Sequence, residues 1–567
     1  MKTSSIILHP GIFWLILILY VAPANAQRNI AKANRAMVAT VHPLATDAAL
    51  KTLDEGGNAV DAALTAAITL GVVDGYNSGI GGGCFILIRT PDGQFLAIDG
   101  RETAPRAATA QMYYRDGKPD TELSQVGALA SGTPGAVAAY HLAWRKTGRL
   151  DWQYHFGEAI RLARDGFVIS DRYARLLADR KELFEKFPAS RQLFIRDDQT
   201  LTSGEVLVQT DLANCLKGIA THGPSFFYHG EVADRIAGWM AENGGVMTKR
   251  DLKSYQARLR TPVVSTYREH NIVGFPPPSS GGTHVGQILN ILEPFPMSQY
   301  YQQDPAVYTH VVAEAMKLAF ADRAHWLGDS DFTRVPSGLL SKQYARQLSS
   351  RIDLKKASDV ESHGVPPRRF PTKPERHTTH IAVADAEGYW VAMTATINTS
   401  FGSKVVIPGT GIIMNNEMDD FALAPGIANA FGLLGSEANK VEPLKRPLSS
   451  MSPTIVMRDD EPILTVGAAG GPKIITSVLL GISRTVDLGL SPAEAVGMPR
   501  FHHQWAPDRL YMERTNDPRL LESMAQRGHQ VYQTSSAGIS QMIYRNPQTG
   551  QFIGVSDPRT DGKAAGR

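Results

Sequence analysis

A threonine at the start of a predicted β-hairpin constrains this chain more than any other feature. The pair His377-Thr378 is followed by two stretches of alternating apolar residues, 379–385 and 389–398, with a Gly-containing turn between them. Such alternation predicts two paired strands. A cut between His377 and Thr378 would place a hydroxyl nucleophile and a free α-amine on one residue. An α-amine titrates at about 7.7 to 8.0, so a useful fraction is free base near neutral pH. The pattern alone does not require the cut, because Thr378 also suits an ordinary strand.

Length and charge indicate a large globular protein without a nucleic-acid surface. The 567 residues are 43% hydrophobic and carry a formal net charge of +3. This length is enough for two domains or for one large composite core. No run of Lys and Arg forms a basic stripe that would follow a phosphate backbone, so we expect no nucleic-acid partner.

The first 26 residues have the organisation of a secretory leader. Lys2 precedes an apolar stretch centred on Ile12–Val21, and Ala24-Asn25-Ala26 offers a small-residue cleavage site. An uncleaved anchor is the alternative, but the stretch is short for a spanning helix, and no later segment is apolar enough to cross a membrane. We therefore expect a periplasmic or secreted protein with three parts: a signal peptide (1–26), a large subunit (27–377) and a small catalytic subunit (378–567).

Cysteine and histidine usage indicates neither a disulfide framework nor a metal site. Cys84 lies in an apolar run that favours a buried thiol, although one bridge to Cys215 is possible. The side chains of the adjacent His502 and His503 diverge, and no third ligand follows at a recognised spacing. We expect no metal and no other cofactor.

Two glycine-rich segments suggest phosphate-binding loops but do not fit them. Asn77-Ser-Gly-Ile-Gly-Gly-Gly83 precedes a predicted strand rather than a helix, and Gly467-Ala-Ala-Gly-Gly-Pro-Lys473 is followed by Ile rather than Ser or Thr. The second segment opens a predicted helix, with Pro472 near its first turn. Two backbone N–H groups at such a position can hold a developing oxyanion.

Several polar residues have both a structural and a chemical interpretation. Arg101 follows a predicted strand, where an arginine is usually an ion-pairing residue but also suits a substrate carboxylate. Glu417 and Asp420 could form the acid/base pair of a glycoside hydrolase, although their spacing is too common to support this. Ser449-Ser450 is not a nucleophile elbow, because the chain contains no Gly-x-Ser-x-Gly.

Several long segments of the chain match the sequence motifs of a single protein family. They are Thr378-Thr-His-x-x-Val-x-Asp-x-x-Gly388, Thr394–Ser403, Asn415–Phe421, Lys445–Pro453, Gly56-Gly57-Asn58-Ala-Val-Asp-Ala and Ser78–Gly83. Together they resemble the γ-glutamyltransferase family of N-terminal-nucleophile hydrolases over nearly the whole chain after the leader. The resemblance implies an α+β fold, the four-layer αββα sandwich of two stacked sheets between helical layers.

The resemblance also implies a role for each candidate residue. Cleavage at His377-Thr378 frees Thr378 as the nucleophile, and Thr396 orients its hydroxyl. At the substrate's amino-acid end, the resemblance implies that Arg101, Ser449 and Ser450 bind the α-carboxylate and that Glu417 and Asp420 bind the α-ammonium. Asn398 is implied to bind the α-carboxyl or the α-amino end. Gly470 and Gly471 are implied to donate to the oxyanion. Phe431, in the loop 425–435, stands where the family often has tyrosine and is expected to act as a lid.

The predicted activity is that of an autoprocessed γ-glutamyltransferase and glutathione hydrolase. Thr378 would attack the γ-amide of glutathione or a related γ-glutamyl compound and pass the group to water, an amino acid or a dipeptide. The large and small chains are expected to stay associated as a heterodimer. One alternative is an acylase for glutaryl or cephalosporin side chains on the same fold, which would leave Asp420 without an ammonium partner. The other is an unprocessed periplasmic binding protein.

Overall fold

The computed structural model describes residues 28–367, 379–424, 426–514 and 517–567, and in them two antiparallel seven-stranded sheets lie face to face. The sheet that contains the hairpin, here the hairpin sheet, has the spatial order Arg258–Arg260, Phe95–Gly100, Gly83–Arg89, Trp390–Thr396, His380–Asp385, Ala36–Thr40 and Lys563–Gly566. The second sheet has the order Ile30–Ala33, Phe552–Ser556, Ile539–Arg545, Glu461–Ala469, Thr454–Arg458, His270–Gly274 and Val263–Tyr267. The predicted leader, His377, Thr378 and Pro425 lie outside the described residues.

The predicted hairpin is confirmed, and both of its faces are buried. Val383 pairs with Val391 in an antiparallel register. These two residues face a helical layer, whereas Ala382 and Trp390 face the second sheet. A strand covered on both sides has no polar face, which explains its almost continuous apolar sequence. The second arm ends at Thr396, so Asn398, predicted to lie on that arm, stands beyond the strand with a φ of 75°.

A layer of buried apolar side chains lies between the two sheets. Phe85 of the hairpin sheet stacks on Phe275, with ring centroids 4.4 Å apart, and Trp390 packs on Phe552 at 5.8 Å. Both faces contribute alternate residues of their strands, as expected for stacked sheets.

Helices cover the outer face of each sheet and complete the four-layer αββα sandwich. The α-helices before residue 255, most of which pack in the layer outside the hairpin sheet, are Pro43–Asp54, Ala59–Val73, Glu122–Gln125, Ala136–Thr147, Gly157–Asp165, Asp171–Ala178, Lys181–Glu185, Pro188–Phe194, Thr210–His222, Pro224–Tyr228, Glu231–Glu242 and Lys249–Ser254. Those of the layer outside the second sheet are Gly281–Leu292, Met297–Gln303, Pro305–Trp326, Lys342–Ser349, Lys473–Val486, Pro492–Gly497 and Pro518–Gln526. The sequence predicts a helix N-terminus at Asn58, because Asn followed by a run of small helix-forming residues favours a cap. Asn58 does cap the helix Ala59–Val73, through a capping box with Asp61.

Shorter elements connect these layers. The 3-10 helices are Ala110–Tyr113, Ala128–Ala130, Trp152–Phe156, Ser337–Leu340, Glu417–Asp420 and Glu437–Asn439. The two-stranded sheets pair Tyr114–Arg115 with Lys118–Pro119, Phe167–Val168 with Val206–Leu207, Ile195–Arg196 with Gln199–Thr200, and Val406–Ile407 with Ile412–Ile413. A three-stranded sheet has Leu510–Glu513 between Phe501–His503 and Val531–Thr534. None of the described helices combines the length and apolar character that a membrane crossing requires.

Both cysteines are buried free thiols, so no disulfide joins them. Burial raises the pKa of the Cys84 thiol well above its ordinary value and that of Cys215 to about 12. Neither thiol is therefore a nucleophile at neutral pH.

Candidate active site

The predicted site residues come from the ends of strands in both sheets. In the hairpin sheet, Arg101 follows the strand Phe95–Gly100, and Thr396 is the last residue of the hairpin. In the second sheet, Gly470 and Gly471 follow the strand Glu461–Ala469. Arg101 reaches the segment that leads into the second sheet, because its Nε donates to Pro447 O at 3.3 Å, shortly before the serine pair.

A fully buried ionic cluster surrounds Arg101. Its guanidinium donates through Nη1 to Glu417 Oε1 and through Nη2 to Asp420 Oδ2, the latter at 2.7 Å. Glu102 Oε2 lies 3.6 Å from Nη1. The residues predicted to bind opposite ends of a substrate are therefore ion-paired with one another. Buried charges of this kind are stable only when paired and hydrogen-bonded.

Three carboxyl groups surround this one guanidinium. Burial raises the pKa of Glu417 well above its ordinary value, although Arg101 opposes the shift. Burial likewise raises the pKa of Glu102 to about 7, again against Arg101. Three carboxylates thus share Arg101, and an additional cation beside them would stabilise their ionised forms.

The serine pair is held by a second buried arginine, Arg323. Its Nη2 donates to Ser450 Oγ at 3.2 Å and its Nε to Ser280 Oγ at 3.0 Å. Ser280 Oγ in turn donates to Ser449 O at 2.7 Å. Burial lowers the pKa of Arg323 to about 10, and Asp420 is the charge that opposes this shift. Arg323 remains protonated at neutral pH and adds a second positive charge beside the serines.

The end of the hairpin places Thr396 and Asn398 in contact. Thr396 Oγ1 accepts a hydrogen bond from the Asn398 backbone N–H at 2.8 Å. The Asn398 side chain donates to Asn416 O at 3.0 Å, directly before Glu417. Thr379 O accepts from Ala395 N at 2.6 Å, so the pairing of the two arms extends to the first described residue after the predicted cut.

Phe431 lies directly on the glycine pair. A Cβ added to Gly471 would stand 2.6 Å from Phe431 Cδ1, so only glycine leaves room for the ring. Gly470 and Gly471 have φ values of 126° and 60°, which favour glycine on conformational grounds as well. The structure thus places the predicted lid residue against Gly471, one of the two predicted oxyanion donors.

One neutral histidine, His380, lies beside the glycine-rich segment 467–471. His380 packs against Gly467 of the second sheet and lies 3.1 Å from Thr394 Oγ1 through its Nδ1. Burial lowers its pKa to about 3. Among the residues that the structure describes, no group of three His, Cys, Asp or Glu side chains is arranged to hold a metal ion.

Comparison with known proteins identifies the family. The family model for gamma-glutamyltranspeptidase matches residues 45–567. This chain belongs to the γ-glutamyltranspeptidase family. The glutathione hydrolase proenzyme of Escherichia coli (strain K12) is 43% identical over 532 residues, which cover 93% of this chain and 91% of that protein. The glutathione hydrolase proenzyme of Pseudomonas sp. (strain A14) is 39% identical and covers 93% of both chains.

Solved structures agree with this γ-glutamyltranspeptidase assignment and with the N-terminal-nucleophile hydrolase fold. Cephalosporin acylase from Bacillus halodurans superposes with a TM-score of 0.85 at 29% identity and covers 98% of this chain and 99% of that one. Helicobacter pylori γ-glutamyltranspeptidase gives a TM-score of 0.54 at 40% identity over 56% of this chain and 91% of that one. The resemblance inferred from the sequence motifs is confirmed.

Sequence reasoning missed three residues of this γ-glutamyltranspeptidase site. The motif Asp322-Arg323-x-x-x-Leu-Gly-Asp329 predicts only packing and ion pairing for Arg323, and Glu102 has no predicted role. Asn429, whose Nδ2 donates to Asp420 Oδ1 at 3.0 Å, has none either. The charged Asp322-Arg323 pair near the end of the largely apolar helix Pro305–Trp326 was the available signal for Arg323. Nothing in the local sequence points to Glu102 or Asn429, since their importance follows from contacts with distant residues.

Proposed function

We propose that this γ-glutamyltranspeptidase hydrolyses glutathione and transfers γ-glutamyl groups, with Thr378 as the nucleophile. The observation that carries the proposal is the buried pairing of Arg101 with Glu417 and Asp420 beside the end of the hairpin. A pocket that contains both a fixed cation and fixed anions matches the zwitterionic head of an amino acid.

Substrate binding exchanges one set of ion pairs for another. The donor's α-carboxylate takes the planar donors of Arg101 and the hydroxyls of Ser449 and Ser450. Its α-ammonium takes Glu417 and Asp420, and Asn398 contributes beside them. Because a zwitterion is neutral overall, the exchange adds no net charge to the buried cluster and leaves each carboxylate with a cation.

The chemistry proceeds through an ester on Thr378. Its α-amine accepts the hydroxyl proton, and Oγ1 attacks the γ-carbonyl carbon, whose oxygen becomes an oxyanion held by the N–H groups of Gly470 and Gly471. Collapse of this intermediate breaks the amide bond, and the leaving amine takes the proton from the α-ammonium. Water or an acceptor amine then attacks the ester carbon, and Thr378 Oγ1 leaves and regains a proton. Thr396 orients the Thr378 hydroxyl.

The nucleophile becomes available through cleavage at His377-Thr378, which yields chains 27–377 and 378–567 after removal of the leader. In the hairpin sheet, strand Gly83–Arg89 pairs with Trp390–Thr396. In the second sheet, His270–Gly274 pairs with Thr454–Arg458. Strands of the two parts are hydrogen-bonded neighbours in both sheets, so the cut chains remain together as a heterodimer. The leader directs the protein to the periplasm or the exterior, and the reaction needs no cofactor.

The acylase alternative is not favoured, although one similar structure is a cephalosporin acylase. A glutaryl side chain lacks the α-ammonium, so Asp420 and Glu417 would stay buried without the cation that the proposed donor supplies. Both relatives described above are glutathione hydrolase proenzymes.

Thr378→Ala and Thr378→Ser test the nucleophile. Wild-type protein should give two chains, the smaller beginning at Thr378 on N-terminal sequencing, and should release glutamate from glutathione. Thr378→Ala should remain one chain without activity. Thr378→Ser keeps a hydroxyl, so it should retain part of the chain cleavage and part of the glutathione hydrolysis. A Thr378→Ala protein that still splits and hydrolyses glutathione would refute the assignment.

A further inference from the structure

The segment 426–435, here called the lid, is a closed turn rather than an open loop. Ala428 and Leu434 form an antiparallel bridge. Within it, the Asn429 N–H donates to Leu433 O at 3.1 Å, and the Gly432 N–H donates to Asn429 O at 2.8 Å. These bonds give the lid a defined shape, so its position depends on what holds it from outside.

One side chain connects the lid to the ionic cluster. Asn429 Oδ1 accepts from the backbone N–H groups of Phe431 at 3.0 Å and Leu433 at 3.1 Å. Its Nδ2 donates to Asp420 Oδ1 at 3.0 Å. The same amide therefore shapes the turn with its oxygen and attaches the turn to Asp420 with its nitrogen.

A second amide holds the opposite side of the lid. Gln504, which is 6% exposed, donates through Nε2 to Phe431 O at 3.2 Å and to Gly432 O at 3.1 Å. Its Oε1 lies 2.9 Å from His502 Nε2. Burial lowers the pKa of His502 to about 3, so the ring is neutral. Because Gln504 Oε1 can only accept, this contact requires the tautomer with the proton on Nε2, whose Nδ1 then accepts from Thr476 Oγ1 at 3.0 Å. The donation from Nε2 fixes the orientation of the amide and directs its nitrogen to the lid.

We propose that Asn429 and Gln504 are positioning residues that hold Phe431 over Gly471, and that Asn429 couples this closed position to occupancy of the Asp420 site. The coupling rests on the proposed function, which assigns the donor's α-ammonium to Asp420. The two oxygens of Asp420 have different partners, so an ammonium can replace Arg101 on Oδ2 while Asn429 stays on Oδ1. An ammonium bound at Asp420 would hold this carboxylate in one position and, with it, the charge-assisted hydrogen bond from Asn429.

Hydrogen exchange of the lid, followed by mass spectrometry with and without L-glutamate, tests both parts without depending on turnover. In wild-type protein, glutamate should slow exchange of the lid amides. Asn429→Asp keeps an oxygen for the Phe431 and Leu433 N–H groups but cannot donate to ionised Asp420, so the glutamate effect should disappear. Asn429→Ala removes three hydrogen bonds and Gln504→Ala removes two bonds to the lid, so each should speed lid exchange at least about fivefold, the change expected for a net loss of about 1 kcal/mol.

Kinetics with glutathione and a dipeptide acceptor provide the second readout. Asn429→Asp and Gln504→Glu should raise KM for glutathione about 3- to 10-fold and should shift the products from transfer toward hydrolysis. The matched control is Asn243→Asp, because the Asn243 amide also donates to an oxygen, Trp239 O, but lies on an exposed helix end. It should leave both values unchanged.

The outcomes separate this inference from the proposed function. If wild-type protein is active but Asn429→Asp keeps the glutamate-induced slowing and the wild-type KM, the coupling is wrong. Unchanged lid exchange in the Asn429→Ala and Gln504→Ala variants would refute the positioning role. If wild-type protein neither releases glutamate from glutathione nor responds to L-glutamate, the proposed function fails instead, and the Ala variants still decide the positioning role.

Discussion

The two sheets contribute different kinds of group to the candidate site. The hairpin sheet leads into charged and polar side chains, Arg101 after one strand and Thr396 at the end of another. The second sheet contributes hydroxyls and main-chain groups, Ser449 and Ser450 before one strand and Gly470 and Gly471 after the next. Each set is incomplete without the other.

The two kinds of group differ in how precisely they must be placed to act on a substrate. Charged side chains interact over several ångströms, and in the cluster three carboxylates share Arg101. A backbone N–H donor acts only within hydrogen-bond distance and costs no side-chain entropy. We therefore expect substitutions on the hairpin-sheet side to change binding and charge balance, and substitutions on the second-sheet side to change geometry.

The largest effect is expected for Arg101→Gln. Removing one partner of a buried ion pair costs about 3 to 5 kcal/mol, so kcat/KM for glutathione should fall about a hundred-fold or more, chiefly through KM. Arg101→Lys, which keeps the charge but not the planar fork, should fall between Gln and wild type. Steady-state kinetics and thermal unfolding measure the two consequences.

Arg484→Gln is the matched control for the loss of a buried arginine. Arg484 lies near the end of the helix Lys473–Val486. It donates to the backbone carbonyls of Ala495, Met498 and Pro499. Its loss should lower stability without raising KM. Equal rises of KM in both variants would show that Arg101 acts through folding alone and would remove the contrast between the two sheets.

A smaller, geometric effect is expected for Gly471→Ala. The added Cβ would overlap Phe431 and the left-handed φ of 60° would cost about 1 kcal/mol, so kcat/KM should fall about tenfold. Gly489→Ala has a matched φ of 63° and open space around its Cβ, so it isolates the backbone strain. The double variant Gly471→Ala/Phe431→Ala should recover part of the activity. No recovery would show that the ring is not what Gly471 accommodates.

The last expected effect is on stability rather than on activity, and it concerns the contact between the sheets at His380 and Gly467. Burial lowers the pKa of His380 to about 3 from 6.5. Between these values the unfolded chain binds a proton that the folded chain does not, so the contribution of His380 to stability is complete above about pH 6.5 and is lost as pH falls toward 3. From pH 7 to pH 5 this amounts to about 2 kcal/mol.

Denaturant unfolding at pH 7 and pH 5 measures this loss. Glu102 and Glu417 have raised pKa values, so they change the free energy of unfolding in the opposite direction over this pH interval. The pH dependence of the wild type must therefore be compared with that of His380→Gln. His380→Gln should lose less stability than wild type over the same interval. An identical pH dependence would mean that His380 is not kept neutral by the contact between the sheets.

The sequence by itself determined the family, the hairpin and the residue types of the site. Alternating apolar residues predict the strands His380–Asp385 and Trp390–Thr396, because side chains on a strand repeat every second residue. The small-residue helix after Asn58 begins at its predicted cap. These features depend on neighbours within a few positions, which a sequence displays directly.

Only the tertiary structure decided how the charges are matched. Arg101 meets Glu417 and Asp420 across more than 300 positions of chain, and Asn429 reaches Asp420 through a turn whose shape its own side chain sets. The Phe431–Gly471 contact likewise joins a lid to a strand end. Such pairings arise because folding removes water from groups that are distant in sequence, and each buried polar group must then find a partner wherever the packed layers place one.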